Sequence, residues 1–158
     1  MKNNYEGTVI QVLKGVKNKQ FVDWHLSVNL EKNFIAFGCP QKPSKENKSK
    51  MSCDGEFFFL VKCDETNTVT GYVGTLHSVI IKDTHPELYA QYAKQYGALY
   101  YDYQKYNTIY LVKQAVAVNE QTIEHLLNGR SYLTNKAKQF NLDTFFKNRT
   151  NQVYLRKA

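Results

Sequence analysis

Hydrophobic and polar positions alternate or cluster along this chain in a way that favours strands over helices. Residues 7–13, GTVIQVL, alternate well enough for a first strand. The stretch around Phe21-Val22-Asp23-Trp24-His25-Leu26-Ser27-Val28 is also read as extended, and residues 33–39, NFIAFGC, form a short apolar run stopped by Gly38 and Pro40. The clearest strand is 54–63, DGEFFFLVKC, a turn signal followed by an unbroken apolar run. A run without alternation implies burial on both faces. Residues 64–67 turn the chain, and 68–81, TVTGYVGTLHSVII, return it, with Gly71 and Gly74 predicting a bulge or bend.

Helical period appears in fewer places. Thr84-His85-Pro86-Glu87 reads as a helix start, with Thr84 as N-cap and Glu87 as its reciprocal acid. The following LYAQYAKQY sets Leu88, Tyr92 and Tyr96 on one stripe beside Tyr89 and Ala93, and Gly97 ends it. Residues 100–106 hold four tyrosines and fit neither period. Residues 107–118 predict a strand, 122–129 a short helix with a glycine cap, and the tail 136–158 a helical beginning. Helices inserted between strands, without strict alternation, argue for an α+β domain on a bent sheet or small β-barrel with two or three inserted helices. At 158 residues without an internal repeat or interdomain linker, one domain is expected over 1–158.

Charge then narrows the partners. Lys plus Arg number 21 against 14 Asp plus Glu, for a net +7, a surplus that favours polyanions. Only Arg130, Arg149 and Arg156 are arginines, so contact with a nucleic acid should lean on the backbone, which lysine serves as a point charge. Two segments concentrate this charge. Residues 40–50, PQKPSKENKSK, carry Lys42, Lys45, Lys48 and Lys50 and no large apolar side chain, and the tail 136–158 holds six cations and one anion. No apolar run approaches the ~18 residues that span a bilayer, and the first residues lack an apolar signal core, so no membrane association and a cytoplasmic location are expected.

The chemistry-bearing residues are sparse. Cys39, Cys53 and Cys63 are spaced 14 and 10 apart, which suits neither a disulfide framework nor a zinc ribbon. The histidines, His25, His77, His85 and His125, are scattered, and Leu60 stands where a nuclease of the acid-x-lysine type needs a carboxylate before Lys62. No phosphate-loop lysine follows Gly71 and Gly74, and no G-x-S-x-G exists. Cysteine–histidine catalysis depends on which residues meet in the fold, which spacing does not decide. The chain is read as a binder, with no catalytic residue, cofactor or metal assigned.

From Trp24 to Arg130 the chain resembles the PUA-like, sulfur-binding-type DNA-recognition domains of modification-dependent restriction enzymes with HNH nuclease modules. The resemblance rests on Asp23-Trp24-His25-Leu26-Ser27, the strand Asp54 to Lys62, and the glycine-rich Val69-Thr70-Gly71-Tyr72-Val73-Gly74. It continues through His85-Pro86 with Tyr96-Gly97-Ala98, Tyr110 to Val118, and Leu127-Asn128-Gly129-Arg130-Ser131-Tyr132. It implies a PUA-like reader of DNA carrying a modified base or backbone, or of local DNA shape, with a separate nuclease as a partner. His85, Pro86 and Tyr89 would shape an apolar pocket near Trp24 and His25, which with Ser27, Tyr72 and Arg130 complete the implied contacts. His25 stands where the family has arginine, and Tyr89 where it has a small residue, which would narrow the pocket.

The lysine loop would hold phosphates. Plainer readings stand beside these: Trp24 and Tyr89 as core, Pro86 as a helix start, the loop as solvated surface. An RNA-binding PUA-like reader with an aromatic pocket, an RNA-cleaving relative of that fold, and a protein-interaction module are the rivals.

Overall fold

The continuous apolar run at 57–61 is the centre of the architecture. The computed structural model describes residues 9–17, 19–20, 34–43, 55–97 and 102–157. These form six strands, β1 (Val9–Lys17), β2 (Phe34–Cys39), β3 (Glu56–Cys63), β4 (Val69–Ile81), β5 (Thr108–Asn119) and β6 (Gln152–Arg156), with three helices among the described residues. The helices are α1 (Pro86–Tyr96), α2 (Glu120–Leu127) and α3 (Leu142–Lys147). The fold is α+β with one mixed sheet, ordered β2-β5-β4-β3-β1-β6. β1 and β3 run parallel and every other pair is antiparallel. No helix among the described residues is long and apolar enough to cross a membrane.

β3 is buried on both faces, as its lack of alternation requires. Phe58 and Leu60 face α2 and α3, among Ile123, Leu127, Phe140, Leu142 and Phe145. α1 covers the β2–β5 end of the same face through Tyr89, against Ala36, Ile80, Ile109 and Leu111. Phe57, Phe59 and Val61 point the other way, into a cluster with Phe37, Tyr72, Tyr110 and Tyr154.

That second cluster shows how far the sheet curls. Phe37 on β2 lies 5.0 Å from Phe59 and 5.8 Å from Phe57 on β3, ring centroid to centroid. β5 and β4 separate those strands in the sheet. In a flat sheet the three steps would span about 14 Å. Gln152 on β6 likewise donates to the Tyr110 hydroxyl on β5 at 3.2 Å, across a flat-sheet distance of roughly 19 Å. The sheet therefore wraps its own aromatic residues. Two bulges sharpen the bend. β5 gains a residue opposite Gly74, at Gln114 with φ 56°, and β4 gains one at His77. The bulge expected from Gly74 thus lies on the facing strand. Gly71 marks a close approach instead, since a β-carbon there would sit 2.9 Å from Leu60 Cδ2 and 3.2 Å from Ile123 Cδ1.

The sheet stays open, so the small-barrel alternative gives way to the bent sheet. Both edges are occupied by loops. Gly97 bridges to Ala36 on β2, and the Tyr103 hydroxyl donates to the Ala36 carbonyl at 2.6 Å. On β6, the Leu133 amide donates to Tyr154 and the Arg156 amide to Ser131. Edge groups already paired cannot close a barrel.

Local details correct several sequence expectations. The N-cap of α1 is His85, without a side-chain bond, and Thr84 belongs to the preceding turn; Pro86 and Glu87 supply the helix-start chemistry. Gly97 ends α1 in extended backbone, φ −72°, and not in the left-handed form. Glycine is needed there because a β-carbon would meet the Ala93 carbonyl oxygen at 2.2 Å and the Tyr103 ring at 2.7 Å. α2 begins two residues earlier than expected, at Glu120, where Asn119 accepts the Thr122 amide.

The basic tail is part of the fold. Asn141 caps α3, and Lys14 of β1 donates to the Phe145 and Asn148 carbonyls at its C-terminus, where a cation is favoured. The stretch read only as tail then ends in β6, with Val153, Tyr154 and Leu155 buried. The tyrosine-rich segment is anchored too. Tyr89 Oη reaches the Tyr103 and Tyr106 carbonyls at 2.9 and 3.1 Å, and the Lys82 amine donates to carbonyls of Tyr103, Gln104 and Tyr106.

Phe58 is 1% exposed beneath α2 and α3. We expect Phe58→Ala to destabilise the domain by about 3–5 kcal/mol in chemical denaturation. Val116→Ala, at a 56% exposed side chain, should stay within about 0.5 kcal/mol. Equal effects in the two variants would contradict the two-faced burial of β3.

Candidate functional site

The open seam between β2 and the β1–β6 pair leaves a cavity of about 210 Å³ among the described residues. Its walls are the chain at Leu13–Gly15, the end of β2 at Gly38 and Cys39, and the start of β6 at Gln152. Phe59, Tyr106 and Tyr110 supply aromatic surface, and Lys42 and Pro43 complete the lining. Hydrogen bonds hold these walls in place. The Lys14 amide donates to Asn151 at 2.9 Å, tying β1 to the approach of β6. Asn107 Nδ2 donates to the Pro40 carbonyl and Thr108 Oγ1 to that of Gln41, both at 2.7 Å, which fixes the chain leaving β2. Gly38 has no room for a side chain, because a β-carbon would lie 2.6 Å from the Tyr106 ring.

Polar groups are few and well defined. The Gln152 amide donates to the Tyr110 hydroxyl, and the Gln11 side chain is buried beside that hydroxyl. Burial raises the Tyr110 hydroxyl to about 12, and raises Tyr72 and Tyr154 as well. Burial also pushes the Cys39 thiol up, with a backbone bond from Gln41 opposing it. At neutral pH these hydroxyls and the Cys39 thiol are therefore uncharged. The arrangement presents flat apolar surface, an amide and a hydroxyl, which suits binding of a planar polar group. Among the described residues no three His, Cys, Asp or Glu side chains gather where they would hold a metal ion.

The residues singled out from sequence separate into distinct places. Trp24, His25, Ser27, Lys45, Lys48 and Lys50 lie outside the described residues. Lys42 stands at the cavity and pairs with Asp83, two residues before His85, so the start of the lysine loop meets the turn that leads into α1. Both partners are half exposed or more, so the pair contributes at most about 1 kcal/mol. His85 and Pro86 are exposed on that turn. Tyr89 and Tyr72 are corrections. Tyr89 is 3% exposed with its hydroxyl on backbone carbonyls, and Tyr72 is 1% exposed inside the curl. Both side chains are packed in the core, and the Tyr89 hydroxyl is already committed to backbone carbonyls.

Arg130 lies elsewhere, on a second cavity of about 360 Å³ lined by Gly129, Ser131, Lys136 and Arg156. Sequence reasoning missed Lys136, Gln152 and Arg156. The charge of the tail was the only signal for the two cations, and nothing in spacing joined them to Arg130. No family model, no curated protein and no solved structure matches the chain.

The raised tyrosines set an alkaline limit on stability. Tyr89 and Tyr110 each hold their proton to about 12 in the folded state, against about 10 when unfolded. Burial is the leading cause for both. The folded state thus binds the proton more tightly, and the stability this contributes is complete below pH ~10 and lost as pH rises toward ~12. Thermal melts should fall across that window, and ultraviolet absorbance should show these tyrosines ionising only with unfolding. Tyr110→Phe should flatten the fall, and an unaltered pH slope would show that Tyr110 does not carry the effect.

Proposed function

We propose that the chain is a PUA-like DNA-binding reader domain, which recognises a modified base or another extruded group and gains its general affinity from lysine contacts to phosphates. One observation carries this reading. A small aromatic cavity with an amide and a hydroxyl opens beside Lys42, where the lysine-rich stretch 40–50 of a chain with net charge +7 begins. At about 210 Å³ the cavity is smaller than the ~300–1,000 Å³ of sites for drug-sized molecules. It suits a nucleobase or a protruding modification better than a whole nucleotide or cofactor. The Gln152 amide and Tyr110 hydroxyl would discriminate between groups that match them and groups that do not.

Lys42 lines this cavity, and Lys45, Lys48 and Lys50 follow within eight residues. Base reading and phosphate contact would then meet at one rim, one supplying discrimination and the other affinity. The reading pocket is assigned to the seam, in place of the turn at His85 and Pro86.

Two variants test the two roles on a panel of modified and unmodified duplexes, with RNA of the same sequence alongside. Replacing Lys42, Lys45, Lys48 and Lys50 with alanine should lower the salt slope of binding by roughly 2–4, with the modified-to-unmodified ratio kept. Gln152→Ala should reduce that ratio by about 1–3 kcal/mol of discrimination and leave the salt slope alone. An unchanged slope in the lysine variant would reduce the loop to solvated surface. A ratio near one in the parent protein across the panel would end the reader assignment, and tighter binding to RNA would move it to the RNA-binding rival.

A further inference from the structure

We propose that the cavity ringed by Arg130, Lys136 and Arg156 is a phosphomonoester site that holds the phosphorylated end of a nucleic-acid strand. Three of its five lining residues are cations and none is acidic. Among the described residues none of the three cations is paired with a carboxylate, and the neighbouring acid, Glu56, is taken by Lys157. The guanidinium groups are oriented by backbone. Arg130 Nε donates to the Leu126 carbonyl at 3.2 Å and Arg156 Nη2 to the Leu133 carbonyl at 2.8 Å. Each thus keeps further N–H groups for a ligand, and among the described residues Arg156 Nε is buried without an acceptor. A buried guanidinium nitrogen lacking a partner is costly unless an acceptor joins it.

The Gly129 amide donates to Phe140 and the Arg130 amide to Leu127, so these two amides are committed and the cationic side chains would take the anion, with the Ser131 hydroxyl as a further donor. Gly129 has φ 87°, and a β-carbon there would meet nothing within 4 Å, which leaves that wall open to an entering group.

Charge selects the ligand. A bridging phosphodiester carries one negative charge, which three unpaired cations exceed. A terminal phosphate carries about −1.5 to −2 and three non-bridging oxygens, a closer match in both charge and acceptors. Arg156 and Gln152 occupy the same face of β6 four residues apart, roughly 13 Å along the strand. The site thus belongs to the opposite end of the strand that walls the seam cavity. In naming a strand end as the source, the inference rests on the nucleic-acid reading.

The test measures binding of otherwise identical oligonucleotides bearing 5′-phosphate, 3′-phosphate or hydroxyl ends, at fixed ionic strength, with pyrophosphate as a free ligand. One phosphorylated end should bind about 10-fold tighter than the hydroxyl end. That gain should fade as pH falls through ~6, where the terminal phosphate dianion takes up a proton; among the described residues no histidine lines the site to imitate this. Lys136→Ala, at an exposed side chain that folding does not need, and Arg130→Lys should remove most of the gain while hydroxyl-ended binding persists. Equal affinity for all ends, with binding intact, overturns the inference and leaves the reader assignment standing. If no oligonucleotide binds but pyrophosphate binds and depends on Lys136, the reader assignment fails and the phosphomonoester site stands with a free ligand as its source. Binding of neither overturns both.

Discussion

The contact between Phe37 and the phenylalanines of β3 is the constraint on which the rest of the molecule turns. It joins strands that the sheet order separates by two others, and it is possible only because the sheet bends through a large arc. Burying aromatic rings of this size is worth several kcal/mol per residue, enough to drive the bend. Once the sheet has curled, its edges come near each other without meeting. The loops that satisfy those edges hold them apart, and the seam cavity is the space left between. The cavity is thus a consequence of core packing, and its aromatic floor is the outer layer of that core.

Much of the fold was legible in sequence because it depends on local period. Residues 57–61 announced burial on both faces, and the strands near 33–39, 68–81 and 107–118 were visible from composition and turn signals. β6 was hidden for a physical reason. It is only five residues long and sits beside Arg149 and Lys157, and its burial comes from Val153 and Leu155 packing on one face and Tyr154 on the other, which only the assembled fold reveals. The three asparagine devices at 119, 128 and 141 were equally silent, since an asparagine is as much at home in a loop.

The site was less legible than the fold. Lys42 was picked by charge and stands at a cavity, and Arg130 was picked by resemblance and lines another. Tyr72 and Tyr89 show the limit of that approach. A tyrosine in a turn-flanking motif reads the same whether its ring meets a ligand or the core, and here backbone carbonyls and neighbouring rings claim both. Gln152 carried no signal at all, because its role depends on meeting Tyr110 across the curl.

The pairing of β1 with β6 sets the order in which this architecture can be completed. Ile10 lies opposite Leu155, and Lys14 reaches the carbonyls that end α3. β1 meets its other neighbour, β3, in parallel, which no tight hairpin can connect. During synthesis, β3 and β4 can pair first through their short turn, and β5 can add to them once the helical connection 82–107 has emerged. One side of β1 then waits, unpaired, until nearly the whole described chain has left the ribosome. Such a strand is a target for mispairing while it waits. Both cavities have a wall on β6, so a nascent chain would acquire neither until that final pairing forms.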